Sequence, residues 1–412
     1  MPTMTRINPA DLEQLQQGIP PSDPALLTQM TLGREVWLDR VQEHYLENYL
    51  ADGGSKVKVL VGEAGTGKTH LLRSVAQDAQ ALGYATVYLS ARDHKLNDLP
   101  GLYRAIVAQL DLDALVQGLC GYVAAKLGYG RDRYDGQGSL VPLICEEQLL
   151  TRDQAIREIN RAKANAFHTI DLGTSFRTFA HHVITSHLIH GNEADLALGL
   201  KWLRGEKLER HEKQITHLFE RLSRTTARAW LNCLIRLLQL AGKTGLVVAI
   251  DDLEVMTEHS PITGRFIYTP NAIKDVCELF RQLIDDVELL SHFLLLLAGR
   301  PPLINDEKRG FKSYEALWMR LQTGLVPIGR FNPLADIVDT DAHLLANGRD
   351  FAEAVHGKLL TLFSDANLPL ELDYDQVPDL SEQGPLRSAV IKATLMVESA
   401  LTPGPSAQGE GR

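Results

Sequence analysis

The run Gly62-Glu63-Ala64-Gly65-Thr66-Gly67-Lys68-Thr69 combines residue types that can hold a polyanion. It fits the spacing G-x-x-x-x-G-K-[ST] without a mismatch. Gly62, Gly65 and Gly67 allow unusual backbone dihedrals, so that successive N–H groups converge on a phosphate. A helix starting near Gly67 adds its positive end at the same place. Lys68 can reach β- and γ-phosphates, and the Thr69 hydroxyl can ligate Mg²⁺. The implied chemistry is the binding of ATP or ADP by its phosphates, with Glu63, Ala64, Thr66 and His70 completing the cradle.

A second acidic group is needed to hold the metal. The apolar run Leu246–Ile250 ends in Asp251-Asp252. A buried strand would deliver Asp251 beside the glycine loop, where it can hold Mg²⁺ through water. The following acid would polarise the attacking water. Asp252 stands in that place and Glu254 two residues on, and either can serve. Slow hydrolysis, or a nucleotide switch with little turnover, is therefore kept as an alternative.

These groups require a frame. Val57–Val61 reads as a buried strand, His70–Leu82 as a helix closed by Gly83, and Tyr84–Ser90 as a second strand. Together they form a parallel strand–helix–strand unit. Before it, Leu38, Val41, Tyr45, Tyr49 and Leu50 share a face of a helix over Arg34–Ala51, ended by Gly53-Gly54. From about Leu102 to Ala241 the spacing is helical, as in Ala180–Ile189, Leu208–Leu222 and Ala227–Leu240, with Gly128–Ser139 as a loop. Strands return at Gly245–Ile250 and Phe293–Ala298, with a helix over Asn271–Leu290 between them. Leu325–Ile328 is a weaker candidate. After Asn332-Pro333 the pattern is mostly helical, and the tail LTPGPSAQGEGR reads as disordered.

The bulk figures fit this frame. The chain has 412 residues, 44% hydrophobic and 23% charged, with a formal net charge of −10. That balance gives no overall basic field to draw the molecule onto nucleic acid or acidic lipid. Cys120, Cys145, Cys233 and Cys277 lie far apart, which argues against a disulfide framework and fits a reducing cytoplasm. The opening residues carry no apolar signal core. The longest apolar runs are too short to cross a bilayer. His181, His182, His187 and His190 invite a metal reading, but without HExxH spacing they read as a solvated face. Glu146-Glu147 and Asp285-Asp286 read as exposed helix charges.

The chain resembles the ATP-binding proteins of the BREX bacteriophage-exclusion systems, of the BrxD-like kind, distant relatives of AAA+ initiators. The matching stretches are LGREVWLDRV, KVLVGEAGTGKTHLLRSVAQDAQALGYATVYLS, LPGLYRAIVAQL, ALGLKWLRGE, WLNCLIRLLQLAGKTGLVVAIDDLEVM and LLLLAGRPPL. The resemblance implies an α/β P-loop NTPase, an AAA+-like parallel sheet core with a large helical insertion and a C-terminal helical lid. The expected divisions are an N-terminal helical segment 1–54, a core 55–330 with its insertion at about 115–240, a lid 331–400 and a tail 401–412. By the same resemblance Arg300 would sense the γ-phosphate, and Arg320 would act across a subunit boundary as an arginine finger. Arg387 would reach back from the lid, and Arg34 would stand by the adenine pocket. The family usually carries Asp-Glu where Asp251-Asp252 stands, and Thr-Pro where Arg300-Pro301 stands, which leaves turnover open. An ATPase within an anti-phage complex is implied, with other defence proteins, double-stranded DNA and further copies of the chain as expected partners. The alternative is a nucleotide-dependent loader or switch.

Overall fold

The computed structural model describes residues 7–285, 290–321, 325–370, 380 and 383–401. Its centre is an all-parallel sheet with the order β2-β3-β4-β1-β6-β5. The strands are β1 (Ser55–Val61), β2 (Ala85–Ser90), β3 (Leu246–Asp251), β4 (Phe293–Gly299), β5 (Leu325–Pro327) and β6 (Ile337–Asp339). β3 and β4 are buried along their whole length, as expected for a parallel sheet covered on both faces. This is the apolar, Val- and Leu-rich character visible in the sequence.

Pairing in register brings the functional ends together. Ser90 lies opposite Asp251, and Val61 lies opposite both Gly299 and Asp339. The C-terminal ends of β2, β3, β4, β1 and β6 therefore open on one edge, where parallel sheets place their ligands.

One face of the sheet is covered by Lys68–Ala81 and the segment Leu38–Leu50, with Leu72, Val75, Trp37 and Tyr45 packed on Leu60, Val247 and Leu296. The other face carries the helices inserted between β2 and β3, from Leu99–Gln109 to Ala227–Leu240, with a Trp202–Trp230 contact inside them. A third cluster joins Leu15, Leu26 and Met30 of the N-terminal helices to Leu359, Phe363 and Val397 of the C-terminal helices Asp341–Asp365 and Pro385–Leu401. Among the described residues, no single helix is long and apolar enough to cross a membrane.

Several expectations are corrected. The helix over Arg34–Ala51 is broken: Trp37 leaves helical geometry, and Gln42–Tyr49 widens into a π-type turn that leaves Tyr49 exposed. Within Leu208–Leu222 only Arg210–Thr216 is helical. The histidine face is solvated only in part: His190 is exposed, whereas His182 meets the Asp195 carbonyl and His187 the Gly136 carbonyl, both half-buried. Glu146, Glu147 and Asp285 are exposed on helices as expected, with Glu147 paired to Arg133 and Asp285 to Arg281. Asp286 and the tail 402–412 lie outside the described residues.

The largest correction is β6, within the stretch read as mostly helical. Its approach is fixed by Lys58 of β1, a buried ammonium that donates to the carbonyls of Asn332, Pro333 and Ala335.

Candidate functional site

The glycine loop joins β1 to the helix Lys68–Ala81. Gly65 and Gly67 adopt positive φ, +74° and +86°, where L side chains are strained. Gly62 does not, and its need is space: a Cβ there would stand 2.0 Å from Thr340 Oγ1. Lys68 is buried, and its Nζ donates to the carbonyls of Gly62 and Glu63, each at 2.7 Å. Burial lowers its pKa, opposed by the charges of Glu254, Asp251 and Asp341. The ammonium is thus held at the loop with carboxylates around it.

The Thr69 hydroxyl donates to Asp251 Oδ2 at 2.6 Å, and the Tyr88 hydroxyl donates to the same oxygen at 2.8 Å. The Asp252 N–H donates to Asp251 Oδ1 at 2.8 Å, so both oxygens of Asp251 are oriented. A hydroxyl beside an oriented carboxylate is a hard oxygen set, and it fits Mg²⁺.

The two acids expected to face water differ. Asp252 sits at φ +62°, and its Oδ2 accepts from Ser90 Oγ at 2.7 Å. Glu254 is buried at 8% exposure, and burial raises its pKa, with Asp252 adding to the rise and Lys68 and Arg300 opposing it. Arg300 Nε stands 3.6 Å from Glu254 Oε1. Glu254 is also the largest single charge acting on Lys68. Of the two, Glu254 is the one whose charge acts on the Lys68 ammonium.

Sequence reasoning missed three residues here. Asp341 accepts the Glu63 N–H at 2.8 and 3.1 Å, and Thr340 shares a 2.9 Å hydroxyl contact with Thr66. Both follow β6, whose brevity left no periodic signal. Arg92, just past β2, pairs with Glu258 at 2.7 Å and lies by Asp252 and Glu254. No local signal marked it, because its place depends on the parallel alignment of Ser90 with Asp251.

Lys68, Thr69, Arg92, Asp251, Glu254 and Arg300 line a cleft of about 450 Å³, with Trp37, Ile328 and Phe351 on its apolar side. His70 also lines it. Its Nε2 lies 2.8 Å from Thr31 Oγ1, and burial brings its pKa down to about 4. Arg387 lines it too, its guanidinium donating to the Gln17 carbonyl at 2.9 Å. Arg34 does not: it turns to Asp78 at 2.8 Å and Asp39 at 3.1 Å, leaving Gly33 on the cleft. Arg320 pairs with Asp285 at 2.6 Å and is not part of this wall. The C-terminal segment closes tightly on the loop. A Cβ on Gly384 would lie 2.2 Å from the Ala64 carbonyl, and one on Gly65 would lie 2.0 Å from the Gln383 carbonyl.

A family model described as BREX system ATP-binding protein BrxC/D matches residues 5–338. No curated protein and no solved structure matches the chain.

Proposed function

Since the chain belongs to the BrxC/D family of BREX system ATP-binding proteins, we propose that it is a magnesium-dependent P-loop ATPase serving a BREX defence complex on DNA. The observation that carries this is the join between Thr69 and Asp251, 2.6 Å apart at the foot of a loop that also holds Lys68. Loop amides and the helix N-terminus bind the α- and β-phosphates, and Lys68 moves from its loop carbonyls to the β- and γ-oxygens. Thr69 and Asp251 are the groups that would hold Mg²⁺, which supplies charge neutralisation at those oxygens. The apolar wall at Trp37, Ile328 and Phe351 suits the nucleobase.

Glu254 orients water toward the γ-phosphorus. The oxygen of water bonds to phosphorus as the bond to the β–γ bridging oxygen breaks. ADP leaves with that oxygen. The water proton passes through the Glu254 carboxylate to phosphate or solvent.

A second reading is a loader or switch with little turnover. It is favoured by the partners already engaging both acids: Ser90 on Asp252, and Arg92 and Arg300 beside Glu254. On either reading other BREX components are the natural partners. Assembly with further copies would give Arg320 a site to act on in trans.

The test is phosphate release with and without duplex DNA, beside Lys68→Ala. Steady release that the variant loses supports the ATPase. Tight nucleotide binding without release supports the switch. DNA contact predicts affinity that falls steeply with added salt, and a flat response rules DNA out as a partner.

A further inference from the structure

Arg92 lies outside the glycine loop, yet it occupies a decisive place at the sheet edge. β2 and β3 run parallel with Ser90 opposite Asp251, so the residues just past each strand share the cleft wall. The Arg92 guanidinium is gripped by Glu258 through two hydrogen bonds, of 2.7 and 3.0 Å. Its contacts on the other side are looser: Nη2 is 3.6 Å from Glu254 Oε1, and Nε is 3.8 Å from Asp252 Oδ1. Arg300 Nε stands equally far, 3.6 Å, from the same Glu254 oxygen. One carboxylate oxygen thus lies between two guanidinium groups, neither in direct hydrogen-bond contact with it.

Asp251, Asp252, Glu254 and Glu258 crowd this edge against Lys68, Arg92 and Arg300. A terminal phosphate arriving here meets carboxylates that repel it unless a guanidinium faces it. A tightly anchored arginine with a loosely held second face is suited to that exchange, because phosphate accepts two parallel N–H bonds.

We propose that Arg92 distinguishes a nucleoside triphosphate from a diphosphate in this cleft. Anchored by Glu258, it exchanges its loose contact with Glu254 for the terminal phosphate and so releases that carboxylate to position water. This deepens the nucleotide reading and rests on it.

The consequences are selective. ADP has no terminal phosphate at this place, so removing the guanidinium leaves ADP binding nearly unchanged. A triphosphate loses a cation at close range in a partly shielded cleft.

The experiment uses the full chain with Mg²⁺ and measures affinities for ADP and a non-hydrolysable ATP analogue, with kcat and KM for ATP. Wild type, Arg92→Ala and Arg92→Lys are compared. In Arg92→Ala the analogue should bind about tenfold or more weakly while ADP stays within about threefold, and kcat should fall. Arg92→Lys should recover part of the analogue affinity through its charge, though not the paired geometry with Glu258. An unchanged triphosphate-to-diphosphate ratio in Arg92→Ala overturns the proposal, including the case where both affinities fall together through a structural defect. Nucleotide binding by wild type keeps that outcome separate from a failure of the ATP reading, which would appear as no uptake by wild type and would overturn both.

Discussion

Thr69 and Asp251, 182 positions apart in the chain, meet through a 2.6 Å hydrogen bond between hydroxyl and carboxylate. The first residue lies in the first turn of the helix after β1, and the second ends β3. Parallel pairing of β3 with β4, and of β4 with β1, brings the two ends to one edge. Their juxtaposition ties the sheet topology to the chemistry of the cleft.

Glu254 rather than Asp252 is expected to carry the water-orienting role. Glu254→Gln should reduce phosphate release by about a hundredfold or more while ADP affinity holds, and Asp252→Asn should reduce it far less. Steady-state phosphate release beside equilibrium ADP binding checks this. A larger loss in Asp252→Asn would move the assignment to Asp252, and equal losses would divide it between the two.

The close approach of Gly384 to the loop predicts that this contact governs nucleotide release. Gly384 sits at φ +76°, and a Cβ there meets the Ala64 carbonyl at 2.2 Å. Gly384→Val should force the C-terminal helix off the loop and raise the ADP dissociation rate by about tenfold, with a conformational cost of about 1–2 kcal/mol from the left-handed backbone. Stopped-flow displacement of a fluorescent ADP reads the rate, and an unchanged rate would detach this segment from the cleft.

Acid should weaken the fold through His70. Its folded pKa of about 4 lies below the usual 6.5 because burial disfavours the imidazolium. The unfolded chain therefore binds the proton first. Stability is intact above the unfolded value, declines as pH falls through it, and levels off below the folded value. Between pH 7.5 and pH 5 the contribution is about 2 kcal/mol. Urea denaturation at the two pH values measures it, and His70→Gln should flatten that part of the slope.

Lys58 should matter more for shape than for charge. Its ammonium satisfies the carbonyls of Asn332, Pro333 and Ala335 just ahead of β6. Lys58→Met would leave buried acceptors unpaired and cost about 1–3 kcal/mol. Because β6 carries Thr340 and Asp341 to the glycine loop, ADP affinity should fall with stability. Chemical denaturation and ADP titration on the same variant check both.

The sequence disclosed the parts of the site that lie on single continuous motifs. Gly62–Thr69 declares itself by spacing, and Leu246–Asp252 by an apolar run ending in acids. What it hid depends on strand order. β6 is three residues long, Ile337–Asp339, too short for any periodicity, yet it sets Thr340 and Asp341 against the loop. Arg92 gains its meaning only when β2 lies beside β3. Arg34 looked available and is held by Asp78 and Asp39, since helix-surface partners 44 and 5 positions away cannot be weighed from local pattern. The insertion was legible as helical, Leu208–Leu222 being helical only over Arg210–Thr216, but not the way its helices cover one face of the sheet.

The central claim is that the glycine loop holds the phosphates of ATP. Calorimetric titration of ATP analogue with Mg²⁺ into the folded protein tests it most directly. Saturable uptake is expected with a Kd of about 10 µM, weakened about a hundredfold or more by Lys68→Ala. No uptake by the wild-type protein at millimolar analogue, alone or with its BREX partners, would contradict it.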